Sequence, residues 1–141
     1  MKLRAIIFSS AMILVAPAMA PIGAQTVLTS QEASKVLSFE DMNMTASKIS
    51  GVVTNRSPHT IKDVELMIQY HWLWQDERNP GQNPPGRTAI IELDKPFEPG
   101  QSHRFSFTPQ PPLPSRNDGH FRPEVDVAAF TTVVRQHAST R

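Results

Sequence analysis

From Val64 to Trp74 every second residue is apolar or aromatic: Val64, Leu66, Ile68, Tyr70, Trp72 and Trp74, with Glu65, Met67, Gln69, His71 and Leu73 between them. In an extended chain successive side chains point to opposite faces, so the pattern gathers six large side chains on one face of a strand. Wound at about 3.6 residues per turn, the same six would be spread around a helix. The segment therefore reads as a half-buried β-strand, and the fold must supply a second layer to cover it.

The first residues read as a processing signal. Lys2 and Arg4 precede an apolar run from Ala5 to Val15, and Ala18 and Ala20 make the small-x-small pattern of a signal-peptidase site. Pro21 is a poor residue to cut before, so cleavage after Ala24 is expected, with export to the periplasm or beyond. The apolar run is shorter than the roughly 20 residues that span a bilayer, and no later segment is longer, so no stable membrane span is expected after cleavage. Without Lys2 and Arg4, twelve basic side chains face thirteen acidic ones, a net charge of −1. That balance offers no basic face for nucleic acid. The chain has no cysteine, so in an oxidising compartment its fold rests on core burial alone.

After the leader (1–24), residues 25–35 form a lead-in, 36–134 one β-domain, and 135–141 a flexible tail. Thr29 and Glu32 have capping-box spacing ahead of a short helical turn at 31–35. Strands are expected at 36–40, 48–55, 64–74, 87–93, 103–108 and 124–134, with Phe105 and Phe107 inward. Polar, proline-rich connections are expected at 41–47, 75–86 and 109–123, and tighter turns at 55–60 and 95–100, with Pro99-Gly100 at the centre of a type II turn. All eleven prolines after Ala24 would then lie in turns and loops, where no ladder needs their missing N–H. Six or seven strands without a long helical pattern predict an all-β fold, an antiparallel sandwich of immunoglobulin-like type.

The run Ile49-Ser50-Gly51-Val52-Val53-Thr54-Asn55-Arg56-Ser57, followed by Ile61, Val64 and Leu66, and then Phe97-Glu98-Pro99-Gly100-Gln101 before Phe105, resembles the bacterial FxLYD-type domains of exported proteins. The resemblance spans roughly 48–107 and implies an immunoglobulin-like sandwich. The motif Phe-x-Leu-Tyr-Asp is absent; Tyr70-His71-Trp72-Leu73-Trp74 stands in its place. The family supplies no catalytic residues.

Gly51 and Asn55 read as structural, Gly51 permitting close packing beneath an aromatic ring and Asn55 closing its turn through its side chain. Tyr70 and Trp72 share the core register and read as packing residues, while Trp74, the last before a long loop, reads as a rim residue. If consecutive strands run antiparallel, the 41–47, 75–86 and 109–123 connections share one end of the sandwich. That end would gather Trp74, Arg78, Arg87, Arg116, His120 and Arg122 as a binding set. Long loops on a rigid scaffold are where recognition usually resides, and arginines suit a carboxylate- or phosphate-bearing partner. Asp76, Glu77 and Asp118 lie among them as competing ion-pair partners.

A different reading starts from Met42 and Met44. In an extended segment both thioethers lie on one side, and with His120 they would make a soft ligand set for Cu(I). The simpler account is two apolar side chains capping a sandwich end. No zinc-type histidine spacing, nucleophile elbow, P-loop or dinucleotide fingerprint is present, so neither an enzyme nor a bound cofactor is expected. The sequence thus points to an exported, non-catalytic module that binds a protein or peptide of the cell envelope. Copper binding is one alternative, and an assembly subunit pairing through an edge strand is another.

Overall fold

A computed structural model of the protein describes residues 29–134, so the expected leader and tail lie outside the described residues. A short helix, α1 (Ser30–Val36), leads into six strands: β1 (Leu37–Met44), β2 (Ile49–Asn55), β3 (Thr60–Trp74), β4 (Arg87–Leu93), β5 (Ser102–Phe107) and β6 (Gly119–Val133). The Thr29 hydroxyl accepts the backbone N–H of Glu32, whose carboxylate in turn accepts the Thr29 N–H at 2.9 Å. This reciprocal cap is what the Thr29–Glu32 spacing predicted.

The strands form two antiparallel three-stranded sheets, ordered β1-β2-β5 and β4-β3-β6. One core joins them: Leu37, Ile49, Val53 and Phe105 from the first sheet meet Val64, Leu66, Ile68, Tyr70 and Phe130 from the second. The alternation of β3 holds from Val64 to Tyr70, with Val64, Leu66, Ile68 and Tyr70 buried and Glu65, Met67 and Gln69 half-buried, and is lost from His71 to Trp74, where every residue is half-buried. The fold is all-β with its two sheets face to face.

Three boundaries depart from the sequence-based expectation. β1 runs on to Met44 where a polar connector was expected from residue 41; a bulge between Glu40 and Asn43, with Asp41 at φ 50°, absorbs the polar stretch without ending the ladder. β3 starts at Thr60, earlier than its alternation shows, because a bulge with Asp63 at φ 51° separates Ile61 from the regular stretch. β6 starts at Gly119, so Pro123 lies inside a strand, paired with Tyr70, and not in a loop. β6 is an edge strand, and at an edge a residue without an N–H breaks no ladder on its free side.

The tight turns are built from local hydrogen bonds. Gln101 N–H donates to Glu98 O at 2.9 Å with Gly100 at φ 77°, the geometry of a type II turn. Asn55, fully buried, donates its amide to His59 O at 2.7 Å and to Phe97 O at 3.1 Å, while its Oδ1 accepts the Ser57 N–H at 2.9 Å. One side chain thereby closes its own turn and ties it to the connection that precedes β5.

β3 and β6 are the longest strands, 15 residues each, against 6 to 8 in the facing sheet. Their paired ends, Trp72↔Phe121 and Trp74↔Gly119, carry the inward face past the core. This mismatch of strand lengths leaves aromatic surface for loops to cover.

Candidate functional site

The connections 45–48, 75–86 and 108–118 lie at the same end, beyond the Trp74↔Gly119 pair and the Ile49↔Phe107 pair. There the 45–48 and 108–118 connections, with the overhanging end of β3 and β6, line a cleft of about 530 Å³. Trp72 and Phe121 come from the overhanging hairpin, Pro109, Pro112 and Leu113 from the 108–118 loop, and Ala46 and Ser47 form the opposite wall. Trp72 meets Phe121 edge to face at 4.8 Å and Trp74 at 6.0 Å. Gly119 makes this packing possible: a Cβ there would lie 2.6 Å from the Trp72 ring and clash with Leu73 O. Gly81 does the same for the 75–86 loop, where a Cβ would lie 2.7 Å from the Trp74 ring.

Arg116 holds the two long loops together. Its guanidinium is 5.3 Å from the ring centres of both Trp72 and Trp74, donates to Asn83 O at 2.7 Å, and pairs in a fork with Asp118 through Nε and Nη2. The hydrogen bonds from Arg116 hold the Asp118 carboxyl below the usual carboxylate range. Gln75 N–H donates to Asp118 O at 2.9 Å, closing the seam. Arg87 pins the other flank by donating to Pro111 O.

This geometry divides the expected binding set. Arg116 and His120 line the cleft. Arg116, however, has most of its donors engaged within the protein and acts as a staple. Arg87 stands at the flank, tied to the loop. Trp74 is covered by Gly81 and Arg116 and does not line the cleft. Arg122 pairs in register with His71 on the outward face of the sheet, next to the His71–Glu124 contact of 2.8 Å. Arg78 follows a turn that Asp76 closes on its own neighbours, accepting the Arg78 N–H and the Asn79 amide at 3.0 Å each. Those bonds, Asn79's first, keep the Asp76 carboxyl below its ordinary pKa.

Sequence reasoning missed Trp72, Phe121 and Leu113 as cleft residues. Trp72 does share the register of the core, but the facing sheet ends too early to bury it. Only the length difference between strands could have flagged this, and the true start of β6 was hidden by Pro123.

The two methionines sit outside the cleft lining. The Met42 sulfur lies over Gly51, where any Cβ would strike it, and packs against the core beside Phe105. Met44 is 44% exposed, and neither methionine lines the cleft that His120 borders. Among the described residues no group of three or more His, Asp or Glu side chains is placed to hold a metal ion. No helix among them is long and apolar enough to cross a membrane.

Removing the staple has a defined readout, because the chain's two tryptophans both sit beneath it. Arg116→Ala is expected to shift tryptophan emission to longer wavelength and to speed proteolytic nicking within 108–118. In the unaltered protein the Arg116–Asp118 pair persists above the carboxylate range. Because the folded pKa of Asp118 is depressed, its contribution is present above the unfolded value of about 4 and fades only as pH falls below it. Emission should therefore hold constant from neutral pH down to about 4 and redshift only below. A midpoint near neutrality would show that another group controls the loops.

Comparison with family models, with curated proteins and with solved structures found no match to this chain.

Proposed function

We propose that this protein is an exported, non-catalytic binding module of immunoglobulin-like fold that engages a protein or peptide of the cell envelope through its long-loop end. The observation that carries the proposal is the cleft of about 530 Å³ at that end, walled by the Arg116-stapled 108–118 loop and by Ala46 and Ser47, and floored by Trp72 and Phe121. Sites of this kind are concave, mainly apolar, and fitted with a few polar groups. Loops already fixed by Arg116 and Arg87 would lose little conformational entropy on binding. Strand order supports the fold assignment, since the first, second and fifth strands share one sheet in immunoglobulin-like sandwiches as they do here. The FxLYD-type resemblance, resting on the Gly51–Asn55 strand and the Pro99-Gly100 turn, points the same way.

Edge-strand assembly finds less support, because Pro123 in β6 and the Asp41 bulge in β1 both blunt an edge. The test is site-specific photo-crosslinking in the native envelope. Probes at Gln82 and Asn117, on the two long loops, should capture a partner, while a probe at Lys62, at the far end, should not. Adducts from Lys62 alone would move the binding surface to the opposite end of the domain.

A further inference from the structure

We infer that two copies of this chain pair through β4, edge to edge and antiparallel, with Ile90 on the two-fold axis. This self-pairing is independent of the partner proposed for the long-loop end.

Of the four sheet edges among the described residues, β4 alone carries no guard. Pro123 interrupts β6, the Asp41 bulge bends β1, and α1 packs on the side of the sandwich where those two edges meet. On the opposite side, β5 is six residues long with the exposed Arg104 near its middle. β4, Arg-Thr-Ala-Ile-Ile-Glu-Leu, has neither proline nor glycine and holds β3 in register along its whole length without a bulge. Its outward N–H and C=O groups take no other backbone partner among the described residues. An edge of this kind is a template for another strand, which proteins normally blunt with prolines, charges or bulges. At its centre Ile90 is 51% exposed and stands beside Met67 on the outward face.

Charge selects a second copy as the occupant. At the Leu93 end, Glu65 and Glu92 are direct cross-strand partners, and with Asp63 and Asp94 they line a hollow that no cation lines. Lys62, 3.7 Å from Asp63, and Lys95, next along the chain, offset part of this charge. Like charges directly opposite each other on a sheet are destabilising. The hollow at the other end of β4 is lined by Arg87 and by His71, itself paired with Glu124, and by no carboxylate; Asp76 and Glu77 lie beyond it in the 75–86 loop. A two-fold axis between antiparallel edges brings the Arg87 end of each copy to the acidic end of the other. Overlapping the seven residues of β4 in full sets Ile90 opposite Ile90, Ala89 opposite Ile91, and Thr88 opposite Glu92, where a hydroxyl meets a carboxylate. Arg87 falls opposite Leu93, between Glu92 and Asp94 in the chain, and no like charges oppose each other. Met67 and Ile90 of both copies then make one apolar row across a six-stranded sheet, and the two long-loop ends point in opposite directions.

The test uses the full exported chain. Sedimentation from roughly 5 to 500 μM should show a monomer–dimer equilibrium, because one strand pair is a small, reversible interface. Ile90→Lys sets two ammonium groups face to face at the axis and should weaken dimerisation at least tenfold. Its melting temperature should be unchanged, since the side chain is exposed. Thr88→Glu should also weaken the dimer, and adding Glu92→Lys should restore it, because opposite charges again meet across the pair. Register is read with cysteine: the chain has none, so Ile90→Cys and Thr88→Cys each introduce a single thiol. Across the axis the two Ile90 Cα atoms would lie roughly 4.5–5.5 Å apart, within disulfide reach, and the two Thr88 Cα atoms roughly 13 Å or more. Mild oxidation should therefore cross-link Ile90→Cys at least tenfold faster than Thr88→Cys. Equal rates would overturn the Ile90-centred register, and a monomer at every concentration would overturn self-pairing. A dimer or larger species unaffected by Ile90→Lys would place the association elsewhere on the surface and overturn it as well.

Discussion

Asn55→Ala should lower the stability of the domain by about 3 kcal/mol, more than any surface substitution in the chain. The amide group is fully buried and serves three backbone atoms, at His59, Phe97 and Ser57. Alanine removes all three bonds, leaves the Ser57 N–H without its acceptor, and opens a small void. In a domain of this size the loss corresponds to a fall in melting temperature of roughly 12 °C. Asn55→Asp keeps the acceptor oxygen and replaces the donor, so it should cost about as much as alanine if the two carbonyl bonds dominate. Chemical denaturation of the three proteins decides it. A loss below about 1 kcal/mol in both variants would mean that the backbone bonds from Asn55 N–H to Gln101 O and from Gly100 N–H to Asn55 O hold the turn unaided.

Gly119→Ala should cost about 2–3 kcal/mol and disturb the cleft at the same time. The new methyl would press on Leu73 O and on the Trp72 ring, and the backbone atom cannot move aside as a flexible side chain could. Displacing Trp72 breaks its edge contact with Phe121 and loosens the support beneath Arg116. Stability and tryptophan emission should therefore change together. Gly100→Ala is the control: its φ of 77° is strained for alanine, but nothing lies within 4 Å of the added carbon, and it sits at the far end. It should cost about 1 kcal/mol and leave the emission unchanged. A stable Gly119→Ala protein with native emission would show that the hairpin end is soft and that the cleft is not preformed.

The core of this fold was legible because it is written in short-range periodicity. Val64 to Tyr70 announce their strand by alternation, and Phe105 and Phe107 do so in β5. Thr29 and Glu32 announce the helix cap, and Pro99-Gly100 the turn, because each depends on residues within a few positions. Bulges broke legibility where they occurred. The polar run Asp41-Met42-Asn43 looks like a connector, yet one residue at positive φ lets β1 continue past it. Pro123 looks like a strand breaker, yet an edge position tolerates it. Both depend on what lies beside the strand, which one segment cannot reveal.

The long-loop end was legible in outline, but the contacts its side chains make were not. Antiparallel order implied that the long connections share an end, and they do. Which arginines are tied into the fold depends on partners far apart in sequence. Arg116 reaches Asn83, Trp72 and Trp74, and Arg87 reaches Pro111.

By itself the sequence determined the strand content, the two-layer requirement and the tight turns, because alternation, capping and turn chemistry act over a few residues. Only the tertiary structure decided that β3 and β6 outrun the facing sheet, that Trp72 floors a cleft while Trp74 lies under a loop, and that Arg116 is a staple. Those outcomes depend on relative strand lengths and on contacts between residues far apart along the chain, so no local pattern encodes them.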